Sequence, residues 1–195
     1  MVTAPSGTGK TTLLKALMAA DPRLRFSISY TTRPPRPGEV SGRDYFFVSP
    51  EEFRGLRDRG ALAEWVEQFG YGYGTSKEWI LQALDSGRDL VFDLDTRGAR
   101  ALKESFPQGI FVFILPPNFQ ELERRLKSRG DLAPAELARR LEQGRTELKE
   151  IPGYDYLVVN NDLPLALDQL RAIVTAARCR AARTWPGLEH LFISS

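Results

Sequence analysis

The chain has 195 residues, with 27 Lys+Arg against 25 Asp+Glu and a formal net charge of +2. This is ordinary globular composition, long enough for one domain or for one core with insertions. A lone cysteine (Cys179) forms no internal disulfide, which points to a reducing cytoplasmic setting, and with a lone histidine (His190) it cannot build a Cys/His zinc site.

Met1 to Ala4 reads as the end of a strand, Gly7 to Lys10 as a loop, and Thr11 to Ala20 as a helix stopped by Asp21-Pro22. Phe26 to Tyr30 (FSISY) is strand-like, and Pro34, Pro35, Pro37 and Gly38 enforce a loop. Asp44 to Val48 predicts another strand. Ser49-Pro50-Glu51-Glu52 supplies an N-cap, a proline at the first helical position and a capping-box glutamate. Leu62 to Gln68 (LAEWVEQ) is extended, and Thr75-Ser76-Lys77-Glu78 is a second capping box opening a helix to about Ser86. Leu90 to Asp95 (LVFDLD) is an apolar strand ending in acids. Ile110 to Leu115 (IFVFIL) has the continuous apolar character of a parallel strand covered on both faces. Asn118 with Glu121 caps a helix to about Arg129, another helix covers Pro134 to Glu150, Tyr154 to Val159 is a strand, and Leu165 to Arg183 is a long amphipathic helix. Strands alternating with helices predict an α/β fold with a parallel sheet. Residues 33 to 75 break that rhythm and read as an insertion. No apolar run approaches the roughly 20 residues of a membrane span, and the basic excess is too slight to point to nucleic acid.

Chemistry must come from Asp, Glu, Lys, Arg, hydroxyls, backbone or a bound ion, because His190 lies close to the C-terminus. Only six basic residues are lysines, so 21 are arginines, whose planar fork suits phosphate; GC-rich coding would give the same bias. The strongest local signal is Ala4-Pro5-Ser6-Gly7-Thr8-Gly9-Lys10-Thr11. It matches the phosphate-binding pattern G-x-x-x-x-G-K-[ST] with Ala4 in place of the first glycine. Gly7 and Gly9 let the backbone turn successive N–H groups toward an anion, and the following helix adds its positive dipole end. Lys10 can reach the β- and γ-phosphates, and Thr11 can offer its hydroxyl to Mg²⁺. Only three residues precede Ala4, where a strand normally has about five or six. Either the first strand is unusually short or a few residues are missing ahead of it.

With Ala4 to Thr12, the segment Phe26 to Val48 (FSISYTTRPPRPGEVSGRDYFFV) and, in order, Glu64, Tyr73-Gly74-Thr75, Asp93-Leu94-Asp95, Arg129-Gly130, Arg140-Leu141 and Val159-Asn160, the sequence resembles the guanylate kinases. The resemblance runs through nearly the whole chain. It implies a P-loop three-layer α/β fold with a central parallel sheet, a small mixed-β GMP-binding insertion and a helical lid. The core would be residues 1–32, 76–120 and 151–195, the insertion 33–75 and the lid 121–150.

It also implies site residues. Ala4 to Thr12 (Ala4, Pro5, Ser6, Gly7, Thr8, Gly9, Lys10, Thr11 and Thr12) and Asn160 would bind ATP, with Asn160 near the adenine. Ser29, Arg33, Arg36, Tyr45, Glu64, Tyr73, Thr75 and Asp93 would bind GMP. Arg33, Arg36 and Tyr45 form a plausible phosphate clamp, although a solvated basic loop would carry the same arginines. Guanine offers donors at N1 and N2, so a carboxylate is its natural reader, and Glu64 resembles the family's guanine-reading glutamate with Thr75 at O6. Tyr71 and Gly72 depart from the family's usual Asn-Tyr-Tyr-Gly. Asp93 resembles a residue near the guanine and the metal's water shell, while Asp95 or Thr96 caps the next helix. Arg129 and Arg140 match arginines that swing onto the transferring phosphates. Their segment, Glu121 to Glu150, holds eight basic and seven acidic residues, which also describes a solvated hairpin laced with i,i+4 pairs. Lys10, Arg33, Arg129 and Arg140 would be catalytic.

The reaction implied is ATP + GMP ⇌ ADP + GDP with Mg²⁺, with dGMP as a further acceptor. The partners implied are ATP and GMP, with no nucleic acid and no membrane; monomer and homo-oligomer stay open. Two alternatives remain: a non-catalytic binding module of the same fold, and a P-loop kinase for another small phosphate acceptor.

Overall fold

The computed structural model describes residues 1–68, 70–128 and 133–193. Strand β1 (Val2–Thr3) leads through a loop into helix α1 (Lys10–Ala20). Then come β2 (Leu24–Phe26), β3 (Tyr30–Thr31), β4 (Phe46–Phe47), α2 (Pro50–Asp58) and the hairpin β5 (Leu62–Gln68) and β6 (Tyr71–Ser76). After β6 the chain forms α3 (Lys77–Asp85), β7 (Asp89–Val91), α4 (Thr96–Ser105), β8 (Val112–Leu115), α5 (Phe119–Lys127) and α6 (Pro134–Leu148). A short 3₁₀ turn (Ile151–Gly153) precedes β9 (Tyr156–Val159), α7 (Leu163–Arg178) and α8 (Ala181–Phe192).

The central layer is parallel. β2 pairs with β7, and β8 lies between β1 and β9. A bridge between Val2 and Asp93, with Val2 N–H donating to Phe92 O at 2.9 Å, joins the two ladders. The order is therefore β2-β7-β1-β8-β9, with β1 in the middle. The chain crosses from one side of β1 to the other after β7, and the carboxyl ends of strands at such a crossing are where α/β sheets place ligands. Leu13, Leu17 and Leu170 from the helices are buried with Val112, Ile114 and Val158 of the sheet. Phe113 is fully buried and meets the Tyr154 ring edge-on, with centroids 5.0 Å apart. No helix among the described residues is long and apolar enough to cross a membrane.

A second, mixed sheet has the order β4-β3-β6-β5. Its hairpin carries an irregularity between Leu62 and Glu64. Next to it, α2 starts as its sequence predicts: Ser49 accepts from Glu52 N–H, and the Glu52 side chain accepts from Ser49 N–H.

Three expectations are corrected. FSISY is not one strand: Phe26 ends β2 in the parallel sheet and Tyr30 starts β3 in the mixed sheet, so the segment is the crossing between them. The second capping box shifts by one residue: Ser76, not Thr75, accepts from the helix, at Trp79 N–H. The long C-terminal helix breaks at Cys179-Arg180. The break lets Arg178 of α7 pair with Asp21 and Asp89 while Arg183 of α8 pairs with Asp89 from the other side.

Candidate active site

The loop between β1 and α1 is built for an anion. Gly7 (φ 92°) and Gly9 (φ 95°) are left-handed, which only glycine adopts without penalty. Close packing excludes side chains there as well. A Cβ on Gly9 would stand 2.5 Å from Asn160 Nδ2, and one on Gly7 2.9 Å from Leu126 Cδ2. Thr8 between them is buried, and its hydroxyl donates to Pro5 O at 2.7 Å.

The Thr8 carbonyl is held from behind by two donors, Asn160 Nδ2 at 2.8 Å and Arg125 Nη1 at 3.1 Å. Arg125 also donates to Asn160 O at 3.0 Å and to Glu121 Oε1 at 2.7 Å. With the carbonyl turned inward, the loop's outer side is left to the N–H groups at the start of α1, where the helix dipole is positive. Thr11 and Thr12 lie exposed on that first turn. Asn160, expected at the adenine, is buried and spends its amide on the loop. Nothing in the residue types marked Arg125, because the groups it holds are backbone carbonyls.

The Lys10 ammonium forms an ion pair with Asp93 and donates to Leu94 O at 3.4 Å. Asp93 lies beyond the end of β7, next to the loop, so the structure brings these two expected residues together. Two residues on, Asp95 is the N-cap of α4, accepting from Gly98 N–H at 2.8 Å, and it also pairs with Arg97. Glu147 of α6 is a further acid near Lys10. Its Oε1 accepts from Gln143 at 2.9 Å, its buried Oε2 has no hydrogen-bond partner, and burial raises its pKa while the Lys10 charge opposes the rise.

A second constellation lies on the mixed sheet. Thr75 is fully buried and donates to Glu64 Oε1 at 2.6 Å, and its hydroxyl lies 3.2 Å from that of Ser29. Glu64 is only 3% exposed, and its other oxygen, Oε2, has no partner. The first turn of α4 closes over that oxygen: a Cβ on Gly98 would lie 3.2 Å from it. Burial pushes the Glu64 carboxyl up to about 7, against the Thr75 hydrogen bond, which lowers it. An orphaned acceptor beside two hydroxyls is a site for a planar group that presents two donors.

Near it, Arg33 gathers the aromatic residues of the insertion. Its guanidinium lies 5.5 Å from the Tyr45 ring centroid and 5.8 Å from that of Phe47, and it pairs with Glu39 at 2.9 Å. The Tyr45 and Tyr73 rings meet edge-on at 6.1 Å. Arg33, Tyr45 and Tyr73 therefore share one place. The exposed Arg36 places its backbone N–H on Glu39 Oε2 at 2.7 Å. Glu39 links both arginines, a role its position as the one acid of a basic stretch did not reveal. Gly72 has a packing reason, since a Cβ there would stand 2.7 Å from the Phe53 ring.

Of the two expected lid arginines, Arg140 is paired with Glu136 on its own helix at 2.8 Å, and Arg129 lies outside the described residues. The i,i+4 reading of this segment holds for Arg125–Glu121, Lys127–Glu123 and Arg140–Glu136.

The described residues contain no cluster of three or more His, Cys, Asp or Glu able to cage a metal. What is present, a threonine hydroxyl on α1 and the carboxylate of Asp93, fits an ion such as Mg²⁺, which keeps several waters and leans on substrate phosphates.

The family model for guanylate kinase matches residues 1–177. A guanylate kinase of Aromatoleum aromaticum is 49% identical over 182 residues, covering 93% of this chain and 89% of its own length. One from Geobacter metallireducens is 45% identical, covering 94% and 90%. The crystal structure of guanylate kinase from Anaplasma phagocytophilum superposes with a TM-score of 0.72 at 30% identity, over 93% of this chain and 86% of that one. With a family model spanning most of its length and relatives alike from end to end, the chain belongs to the guanylate kinase family.

Proposed function

We propose that the protein transfers the γ-phosphoryl group of ATP to GMP, and to dGMP, giving ADP and GDP or dGDP. The observation that carries the acceptor's identity is Glu64, with one oxygen held by Thr75 and the other orphaned under α4. Guanine presents N1–H and an N2 amino group to such an acceptor, whereas adenine offers an acceptor at N1. The loop of Ala4 to Thr12 supports the donor assignment, and its intact Lys10 and Thr11 speak against a non-catalytic module. On this reading residues 33–75 hold GMP, residues 121–150 close as a lid, and the rest is the core.

The chemistry follows from charge. An oxygen of the GMP phosphate attacks the γ-phosphorus, the bond to the β–γ bridging oxygen breaks, and ADP leaves. A phosphate monoester with a second pKa near 6 is largely dianionic at pH 7, so no protein base is needed. The difficulty is bringing two polyanions together and stabilising charge on the transferred group. The loop N–H groups and Lys10 receive the ATP phosphates, with Lys10 leaving Asp93 to do so. Arg33, Arg36, Tyr45 and Tyr73 hold the GMP phosphate, displacing Glu39 from Arg33. Arg129 and Arg140 reach the transferring group, Arg140 giving up Glu136. Asn160 keeps the loop in shape and borders the adenine of ATP. Mg²⁺ would be held by the Thr11 hydroxyl and, through water, by Asp93, and would supply charge neutralisation on the phosphates.

The test is initial ADP release with ATP and GMP, dGMP, AMP or UMP as acceptor. GMP and dGMP are expected to turn over, and AMP to be rejected by on the order of 10⁴-fold in kcat/KM, as for sites that hydrogen-bond their substrate. Equal rates with AMP or UMP would overturn the assignment.

A further inference from the structure

Among the described residues, two buried carboxylate oxygens have no hydrogen-bond partner, Glu64 Oε2 and Glu147 Oε2. Under the proposed function the first meets the guanine edge. The second takes no part in the chemistry described above. Leaving a buried acceptor of this kind unsatisfied is costly, and Glu147 is only 9% exposed.

Helix α6 sets where this carboxylate stands. Arg140, Gly144 and Glu147 are spaced i, i+4 and i+7, so they share one face of the helix. That face lies on the phosphate loop, since a Cβ on Gly144 would stand 3.6 Å from Pro5 Cβ. Gln143, one turn earlier, donates to Glu147 Oε1 at 2.9 Å, which fixes the carboxyl and leaves Oε2 open. Three ionisable groups act on Glu147 or are acted on by it from other elements: Lys10 of α1, Asp95 at the start of α4, and Tyr154 ahead of β9. Tyr154 is a neutral phenol, because burial pushes it up to about 12, and its neighbour is Thr3 at the end of β1. Lys10 is the cation of the group. At rest it spends its protons on Asp93 and on Leu94 O. It has three donors on a flexible four-carbon stem, so turning to a phosphate costs it Asp93 and leaves the stem without a charged anchor.

We propose that Glu147 is a positioning residue for Lys10: when ATP arrives, the Lys10 ammonium leaves Asp93 and donates to Glu147 Oε2, keeping its other protons for the phosphates. Glu147 takes this part only if Lys10 serves ATP, as under the proposed function. One carboxylate partner is then exchanged for another, and the orphaned oxygen is satisfied in the ATP-bound state alone. The ammonium is held from the protein side, so less of the stem's freedom is lost at the moment of transfer. The same contact ties α6 to the loop. Arg140 lies about 10.5 Å along the helix axis from Glu147 on the shared face, so fixing Glu147 also fixes the point from which Arg140 reaches the transferring group. Packing alone is the alternative, with Glu147 serving only to seat α6 on the loop and its Oε2 taking the proton of the buried, unpartnered Tyr154 hydroxyl.

The test titrates ATP with Mg²⁺ into the full chain by calorimetry, with no acceptor present, for the parent, Glu147→Gln and Glu147→Met. Gln keeps the size and the hydrogen bonding of the side chain, and Met keeps only the size. Both are expected to weaken ATP binding by about 5- to 20-fold, the loss of one hydrogen bond between charged groups. The KM for GMP is expected to stay within about twofold. Burial raises the Glu147 pKa, so the ionised acid is a liability in the folded chain at pH 8, and both variants should melt at or above the parent's midpoint there. A mere through-space effect has the opposite sign, because removing a negative charge near a polyanion tightens its binding. Unchanged or tighter ATP binding by Glu147→Gln therefore overturns the positioning role. So does a loss confined to Glu147→Met, or a lowered midpoint with ATP and GMP affected alike, since either marks packing. A parent that binds no ATP overturns the phosphate-loop assignment and this role with it. A parent that binds ATP but rejects GMP overturns the acceptor assignment, and the ATP titration still decides the part played by Glu147.

Discussion

On the proposed function, the two ends of the site recognise their ligands by opposite means. At the phosphate loop the recognising groups are backbone N–H groups and the partly buried Lys10 ammonium, and behind them lies the support: the Thr8 carbonyl with Asn160 and Arg125. At the insertion the recognising group is itself buried, a carboxylate 3% exposed with one oxygen unsatisfied. Phosphate carries its own charge, so a shaped loop in water suffices. A neutral purine must be read by hydrogen bonds, and these discriminate only where water cannot substitute. The first design costs little stability, whereas the second is destabilising until the base arrives.

Lys10→Ala should be the largest effect. It removes the mobile charge of the phosphate end and leaves the supports behind the loop untouched. Turnover is expected to fall by about 10³-fold or more at saturating ATP and GMP, with the thermal midpoint within a degree or two of the parent. Turnover near the parent's would mean the Lys10 ammonium is not what recognises phosphate.

Glu64→Gln probes the buried end and should separate function from stability. Catalytic efficiency with GMP is expected to drop by about 10- to 150-fold, the 1.5–3 kcal/mol of a charged hydrogen bond. Stability should move the other way. Glu64 in the folded chain titrates at about 7 rather than its ordinary 4.5, so the folded state holds a proton that the unfolded state releases. Its contribution therefore worsens as pH rises from about 4.5 to 7 and stays unfavourable above that. The variant should be stabler than the parent by roughly 5 °C at pH 8, with no gain at pH 4.5. A matching gain at both pH values would show that the carboxylate is not strained by burial.

The same titration predicts a pH dependence in the parent. Below about 7 Glu64 takes up a proton and loses an acceptor, so the KM for GMP should climb as pH falls from 8 to 6 while the KM for ATP changes less. In Glu64→Gln the GMP dependence should flatten, leaving only the titration of the GMP phosphate itself. An unchanged profile would assign the effect to the substrate.

These two ends were unequally legible in the amino-acid sequence. The phosphate loop is made of contiguous residues, so spacing alone exposed it. The proposed base pocket draws Ser29, Glu64, Thr75 and Gly98 from four separate segments, and only family resemblance pointed to Glu64 and Thr75. Periodicity also misled locally. FSISY alternates like one strand, yet alternation does not say to which sheet a residue belongs, and the chain changes sheets between Phe26 and Tyr30. Thr75 and Ser76 both suit an N-cap, and burial against Glu64 takes Thr75 out of the contest. The break at Cys179 carries no glycine or proline; on its two sides Arg178 pairs with Asp21 and Asp89 and Arg183 with Asp89, tertiary contacts that periodicity does not show.

Arg125 is the sharpest case of what stayed hidden, and its substitution is the finest probe of the comparison. Its guanidinium joins α5, the loop and the end of β9 through Glu121, Thr8 and Asn160. If the phosphate end works through a backbone held from behind, Arg125→Met should loosen that hold while keeping the apolar stem. The Thr8 carbonyl would keep Asn160, so the loss is one charge-assisted bond of about 1.5–3 kcal/mol in part compensated by water. The KM for ATP is expected to rise about 5- to 20-fold and the KM for GMP to stay within about twofold. Arg125→Lys, which keeps the charge without the fork, should fall between the two. A general loss of stability would raise both KM values or neither, so an equal rise would reduce Arg125 to a packing role. A split confined to ATP would show that the loop's recognition of phosphate is set by side chains that never touch it.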